Sequence, residues 1–179
     1  RALRDLTRYR TALIQERTRV VNRVQKVLEG ANIKLAAVAT DILGVSARAM
    51  LEEIVVGTTD PMALAELARG RLRNKIPDLE RALTGRVGAH HRPLLAQQLA
   101  HSDFLDEQIA AIGAEIARQI EAMPPLADSA VAPADTRQTP AGAVTGESGI
   151  LTWHAAVALL CTIPGVDQRT AEVILAETG

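Results

Sequence analysis

Ser102-Asp103-Phe104-Leu105-Asp106-Glu107-Gln108-Ile109-Ala110-Ala111-Ile112-Gly113-Ala114-Glu115-Ile116-Ala117-Arg118-Gln119-Ile120-Glu121-Ala122-Met123 is the stretch on which the fold turns. Ser102, Leu105, Ile109, Ile112, Ile116, Gln119 and Met123 alternate three and four apart, the a and d positions of three heptads. That spacing puts them on one face of a long helix and does not fit the period-two alternation of a strand. It predicts a helix over 91–122, stopped by Met123-Pro124-Pro125, with the stripe as core or coiled-coil seam. No cofactor is needed to explain it.

Working outward, residues 3–29 read as a second long helix, closed by Gly30 as its C-cap. Leu6, Tyr9, Leu13, Val20, Val24 and Val27 share one face, and Leu6, Leu13, Val20 and Val27 stand seven apart. Between the long helices the sequence predicts short ones over 34–43 and 46–55, separated by Gly44-Val45. Another is expected over 61–69, capped by Asp60 with Pro61 in its first turn, and one from Ile76-Pro77-Asp78 to near Gly85. Residues 124–149 are rich in Pro, Ala, Gly, Ser and Thr without periodicity, the composition of a flexible linker. A helical unit resumes near Leu151. The expected plan is therefore all-α: a helical, coiled-coil-like domain over 1–123, a linker over 124–149, and a further helical unit over 150–179.

Composition agrees. Of 179 residues 47% are apolar but only 2% aromatic, which disfavours sandwiches and barrels and suits packed helices. One cysteine excludes a disulfide framework and a cysteine-based zinc site, and fits a reducing cytoplasm. No apolar run approaches a membrane span, nothing resembles a signal peptide, and no initiator Met is present. The chain reads as a piece of something longer.

The net charge of −1 hides segregation. Residues 1–34 carry nine Lys/Arg against three Asp/Glu, and residues 69–92 carry seven against two. Residues 35–68 carry one against five, and residues 93–179 three against eleven. Clustered cations gain from counterion release on a polyanion, although oppositely charged halves that attract one another would look the same. On the first long helix Arg1, Arg4, Arg8, Arg19 and Lys26, with Arg23 at the edge, lie opposite the apolar face without an acidic neighbour on that face. They are expected to contact phosphate rather than form a merely solvated surface. Arg69, Arg71, Arg73 and Lys75 make a second candidate patch. Arg10 and Arg17 fall on the apolar side and need acids elsewhere.

Val157 to Leu175, with Ile163-Pro164-Gly165-Val166-Asp167-Gln168-Arg169-Thr170 at its centre, resembles the helix-hairpin-helix module that holds a nucleic-acid backbone. There a glycine turn aims backbone N–H groups at a phosphate. Gly165, Val166, Arg169 and Thr170 would be the contacts. Asp167 stands where the motif has a second glycine, and a carboxylate there repels phosphate. A hairpin that only packs is the competing reading. Ile42-Leu43-Gly44-Val45-Ser46-Ala47-Arg48 matches Ile163 to Arg169 at four of seven positions, consistent with a second helix–Gly–helix turn.

No catalytic constellation emerges. His90-His91 have no acid at ligand spacing and suit capping or phosphate contact. His101 and Asp103 point in different directions, and His154 stands alone near a helix start. Cys161 is expected as an inert thiol on an apolar face. Glu52-Glu53 and Asp106-Glu107 are surface neighbours rather than a carboxylate pair.

Several stretches together resemble the bacterial insertion-sequence transposases called the IS one-ten family. They are Arg4-Asp5-Leu6-Thr7-Arg8-Tyr9-Arg10, Glu16-Arg17, Asn22 to Glu29, Asn32-Ile33-Lys34-Leu35 and Leu43-Gly44-Val45-Ser46. Leu67 to Arg73, His90-His91-Arg92, Asp103-Phe104-Leu105-Asp106, Ile163 to Val166 and Arg169 to Glu177 extend the match over nearly the whole chain except the linker. The resemblance implies a recombinase with an N-terminal RuvC-like domain that binds a divalent metal (Mg), a helical coiled-coil region, a C-terminal domain with a catalytic serine, and a bridging RNA as guide. Neither the acidic tetrad nor the serine motif has a match here, so no catalytic residue and no cofactor is carried over. The implied partners are DNA or a structured guide RNA, and a second copy of the chain through its coiled-coil helices. No membrane and no small-molecule substrate are expected, and the place of action is the bacterial cytoplasm, on the nucleoid. The alternative is a purely structural coiled-coil oligomerisation module without nucleic-acid binding.

Overall fold

The structure, a computed structural model, describes residues 1–123 and 152–178. Every regular element among them is helical, so the protein is all-α. The seven α-helices are α1 (Ala2–Gly30), α2 (Val45–Val56), α3 (Pro61–Ala65), α4 (Ile76–Leu83), α5 (His91–Ala122), α6 (Trp153–Leu160) and α7 (Gln168–Thr178), with 3-10 turns at Leu35–Ala37 and Gly70–Lys75. No described helix is long and apolar enough to cross a membrane. The expected linker, 124–149, lies outside the described residues.

The chain forms two compact units, one of residues 12–109 and one of residues 1–11 with 110–179. In the first, Val24 and Leu28 of α1, Met50, Leu51 and Ile54 of α2, Leu64 of α3, Leu79 and Leu83 of α4, and Leu95 and Leu99 of α5 share one core. Burying each Leu- or Ile-sized side chain contributes about 1.5–3 kcal/mol, and this cluster holds the short helices in place.

Local signals explain where those helices stop. Asn32, not Gly30, takes the left-handed conformation (φ 59°) at the end of α1. The Ile33 N–H reaches back to Leu28 O (2.8 Å) and the Asn32 N–H to Glu29 O (2.9 Å). This is a Schellman closure, and it delivers Ile33 into the core beside Leu28. Gly30 is thus an ordinary helical residue, and the cap expected there sits two residues later. The helix expected over 34–43 shrinks to a single 3-10 turn, Leu35–Ala37, and the Lys34 N–H before it donates to Ala82 O (2.7 Å) at the end of α4. Leu35 is buried from that turn, and Ala39 and Ile42 from the irregular backbone that follows it. Asp60 caps α3 as expected, accepting from the Met62 N–H (3.1 Å). That helix ends at Ala65 rather than 69, and Gly70, at φ 56°, starts the second 3-10 turn.

In the second unit Leu3 of α1, Ile116 and Ile120 of α5, Val157 of α6, and Ala171 and Ala176 of α7 share a core. The expected face of α1 is shifted here. Tyr9 is 52% exposed, while Leu3, Thr7 and Arg10 are buried. Thr7 meets its hydroxyl's need within the helix, donating to Arg4 O (3.0 Å). Arg10 is satisfied from α7. Cys161, expected on an apolar face, is exposed because α6 ends at Leu160 and the thiol falls in the turn.

Candidate nucleic-acid interface

The cations nominated from sequence divide into engaged and free sets. In the unit of residues 1–11 and 110–179, Arg8 makes a two-point pair with Glu177, Nε to Oε1 at 2.8 Å and Nη2 to Oε2 at 3.0 Å. Arg4 donates from Nε to Ala176 O (3.2 Å) and from Nη2 to Glu177 O (3.0 Å), caring for carbonyls at the end of α7. The face that lacks acids along its own helix therefore acquires one from residue 177. Hydrogen bonds from Arg8, with the charges of Arg8 and Arg4, hold the Glu177 carboxyl below the usual carboxylate range. Arg10 and Arg17 find the acids their positions demanded: Arg10 pairs with Glu172 (2.6 Å), and, in the other unit, Arg17 pairs with Asp106 (2.5 Å).

The α6–α7 hairpin has the expected glycine turn, with Gly165 at φ 86° and nothing near the place a Cβ would occupy. Asp167 occupies the helix start itself. Its Oδ1 accepts from the Thr170 N–H (2.8 Å), and its backbone O accepts from the Ala171 N–H (2.9 Å). Hydrogen bonds from the Thr170 side chain and N–H hold the Asp167 carboxyl below its ordinary value. A carboxylate thus already sits where Gly165, Val166 and Thr170 were expected to present amides to phosphate. Arg169 remains exposed.

In the unit of residues 12–109 the picture differs. Arg19, Arg23 and Lys26 project from α1, exposed and without an ion pair among the described residues. Two acids of α5 are engaged by other arginines: Asp106 by Arg17 and Asp103 by Arg48, Nη2 to Oδ2 at 2.7 Å. Arg73 is loosely paired with Glu66 (3.5 Å). Arg69, Arg71 and Lys75 have no carboxylate partner among the described residues and line a groove of about 910 Å³. The upstream glycine turn, with Asp41, Gly44, Val45 and Ser46, also lines it.

Several bonds fix this groove. The Arg69 N–H donates to the buried Ser46 hydroxyl (2.9 Å), which ties the 3-10 turn to the start of α2. Lys75 Nζ donates to Val38 O (3.4 Å). Asp41, the one acid of the lining, accepts from the Leu43 N–H (2.9 Å). Gly44 precedes α2 without a side chain to cap it, whereas Asp167 caps α7. A carboxylate nevertheless stands beside both turns, since Asp41 Oδ2 lies 3.4 Å from the place a Gly44 Cβ would occupy. Sequence reasoning found the patch at 69–75 and the turn at Gly44 separately but did not join them. It did not single out Lys34, which lies just before the 3-10 turn at Leu35–Ala37.

No family model, curated protein or solved structure matches the chain.

Proposed function

We propose that this chain holds nucleic acid by its phosphate backbone and is the middle portion of a bacterial DNA transposase, acting in the cytoplasm on the nucleoid. The observation that carries the binding is the groove in which Arg69, Arg71 and Lys75 are exposed and, among the described residues, without carboxylate partners. Arg19, Arg23 and Lys26 add unpaired cations in the same unit. Cations left unneutralised by their own protein repel one another, and a polyanion relieves that repulsion while releasing its counterions. Arg4 and Arg8 take a structural role in this reading, and the Asp167 hairpin contributes packing. The transposase assignment rests on the sequence resemblance.

The test is fluorescence anisotropy of the full chain with a hairpin RNA and a duplex DNA across a salt series. Binding is expected with a log–log salt slope of about −4 or steeper. Arg69→Glu, Arg71→Glu and Lys75→Glu together should abolish it while circular dichroism stays unchanged. No binding at low salt, or unchanged binding by the triple variant, overturns the assignment. A second reading, a self-associating structural module, is favoured by one observation: Leu159 and Ile163 stand exposed on the α6–α7 hairpin. A salt-insensitive oligomer in sedimentation, with no affinity for either ligand, would select it.

A further inference from the structure

The short connection between α4 and α5, residues 84–90, is held at three points. Gly85 lies so close to the end of α1 that a Cβ on it would meet Ala31 O at 2.5 Å. The Arg86 N–H donates to Ala31 O (2.8 Å). The third point is a double closure between Gly88 and the first residue of α5. There the His91 N–H donates to Gly88 O (3.0 Å), and the Gly88 N–H donates to His91 Nδ1 (3.0 Å). An imidazole nitrogen accepts a hydrogen bond only while it carries no proton. The closed connection therefore requires a neutral His91 with its hydrogen on Nε2, the nitrogen that faces Gly30 at the end of α1.

Few acids surround this imidazole. The His90 ring lies 3.9 Å from it, centroid to centroid. Residues 26–34 and 84–94 meet at this corner, and in them Lys26, Lys34, Arg86, His90 and Arg92 stand against one carboxylate, the exposed Glu29. The first turn of α5 contains no acid. At the end of α2, Arg92 Nη2 donates to Gly57 O (3.4 Å), while Glu53 accepts from the Thr58 hydroxyl (2.7 Å). A proton placed on Nδ1 removes the acceptor. It also sets a cation beside His90 at the positive end of the α5 dipole. The lost bond and the repulsion act in the same direction.

We propose that His91 is a proton-operated clasp. Neutral, it closes residues 86–90 onto the start of α5, and protonated, it releases them. The clasp stands independently of the nucleic-acid reading.

Amide hydrogen exchange of the full chain by NMR, corrected for the intrinsic rate at each pH, tests it. The range runs from about pH 8 to about pH 5, over which imidazoles change charge. The His91 ring signals, followed in the same samples, report its protonation directly. Protection of the Gly88 amide should fall about tenfold or more as the ring takes up its proton. The Arg48 amide, which donates to Gly44 O at the start of α2, should keep its protection throughout. His91→Ala should leave Gly88 unprotected at every pH. His91→Asn, whose side-chain oxygen accepts without titrating, should keep Gly88 protected at both ends of the range. A ring that gains its proton while Gly88 stays protected overturns the clasp. So does a ring still neutral at about pH 5, or a pH-dependent loss that persists in His91→Asn.

Discussion

Arg10 Nη1 lies 2.6 Å from Glu172 Oε2, and the two side chains are only 5% and 4% exposed. The second Glu172 oxygen accepts from Gln168 Nε2 (3.0 Å), so both oxygens of the carboxylate are engaged. A buried charge with its partner removed is costly, whereas a pair replaced by apolar groups of similar size costs little. Arg10→Met should therefore destabilise the protein by about 3–5 kcal/mol, as should Glu172→Leu. The double variant should recover most of that loss in urea denaturation. Additive losses would show that the pair is not coupled.

Acid should weaken the unit of residues 1–11 and 110–179. Glu115, Asp167 and Glu177 all have carboxyl values lowered in the folded state, chiefly by hydrogen bonds from Arg118, Thr170 and Arg8 respectively. Between the lowered folded values and the ordinary unfolded values near 4, the unfolded chain binds more protons, so stability there rises with pH. The contribution is complete above the unfolded values and disappears as pH falls through the folded ones. Melting temperature followed from pH 6 to pH 2 should drop along this limb, and Glu177→Gln should flatten it. A melting temperature that rises on acidification would contradict the assignment.

Gly85 and Gly113 should respond in opposite directions to the same substitution. A Cβ on Gly85 would lie 2.5 Å from Ala31 O and 2.7 Å from Ile33 Cγ1, where the Arg86 N–H ties the chain to Ala31 O at 2.8 Å. Gly85→Ala must push backbone aside and is expected to cost about 1–3 kcal/mol. Gly113 is inside α5 with nothing within 4 Å of its missing Cβ. Gly113→Ala should instead stabilise by about 0.5–1 kcal/mol through helix propensity. Paired denaturation curves decide both.

Legibility in the sequence tracked the range of the interaction involved. α5 begins and ends where its heptads and the Met123-Pro124 stop imply, at His91 and Ala122, because that information is local and repeated over many turns. Asp60 and Pro61 were likewise sufficient to start α3. Near its start α1 buries Thr7 and exposes Tyr9, which the apolar pattern did not flag, while Arg10, expected on the apolar side, finds a partner that no local pattern identifies. Arg10 meets Glu172, 162 residues away. Arg8 meets Glu177 across a similar separation. The course of 34–44 was likewise set from afar: the Lys34 N–H donates to Ala82 O, and Leu35, Ala39 and Ile42 are buried in the core shared with α1, α2, α4 and α5. In the candidate interface the cations were visible in the sequence. Which of them were already spoken for was not.

Asp167 has a consequence for how the hairpin responds to its surroundings. A free anion at a helix start comes and goes with its concentration, but this one is attached to the same backbone as the N–H it accepts. Its effective concentration is set by covalent geometry, so dilution cannot lower it and added salt has little to displace. The turn between α6 and α7 carries its own permanent counterion. Buffer changes that strip a polyanion from the groove at Lys75 should leave the shape of this turn as it was.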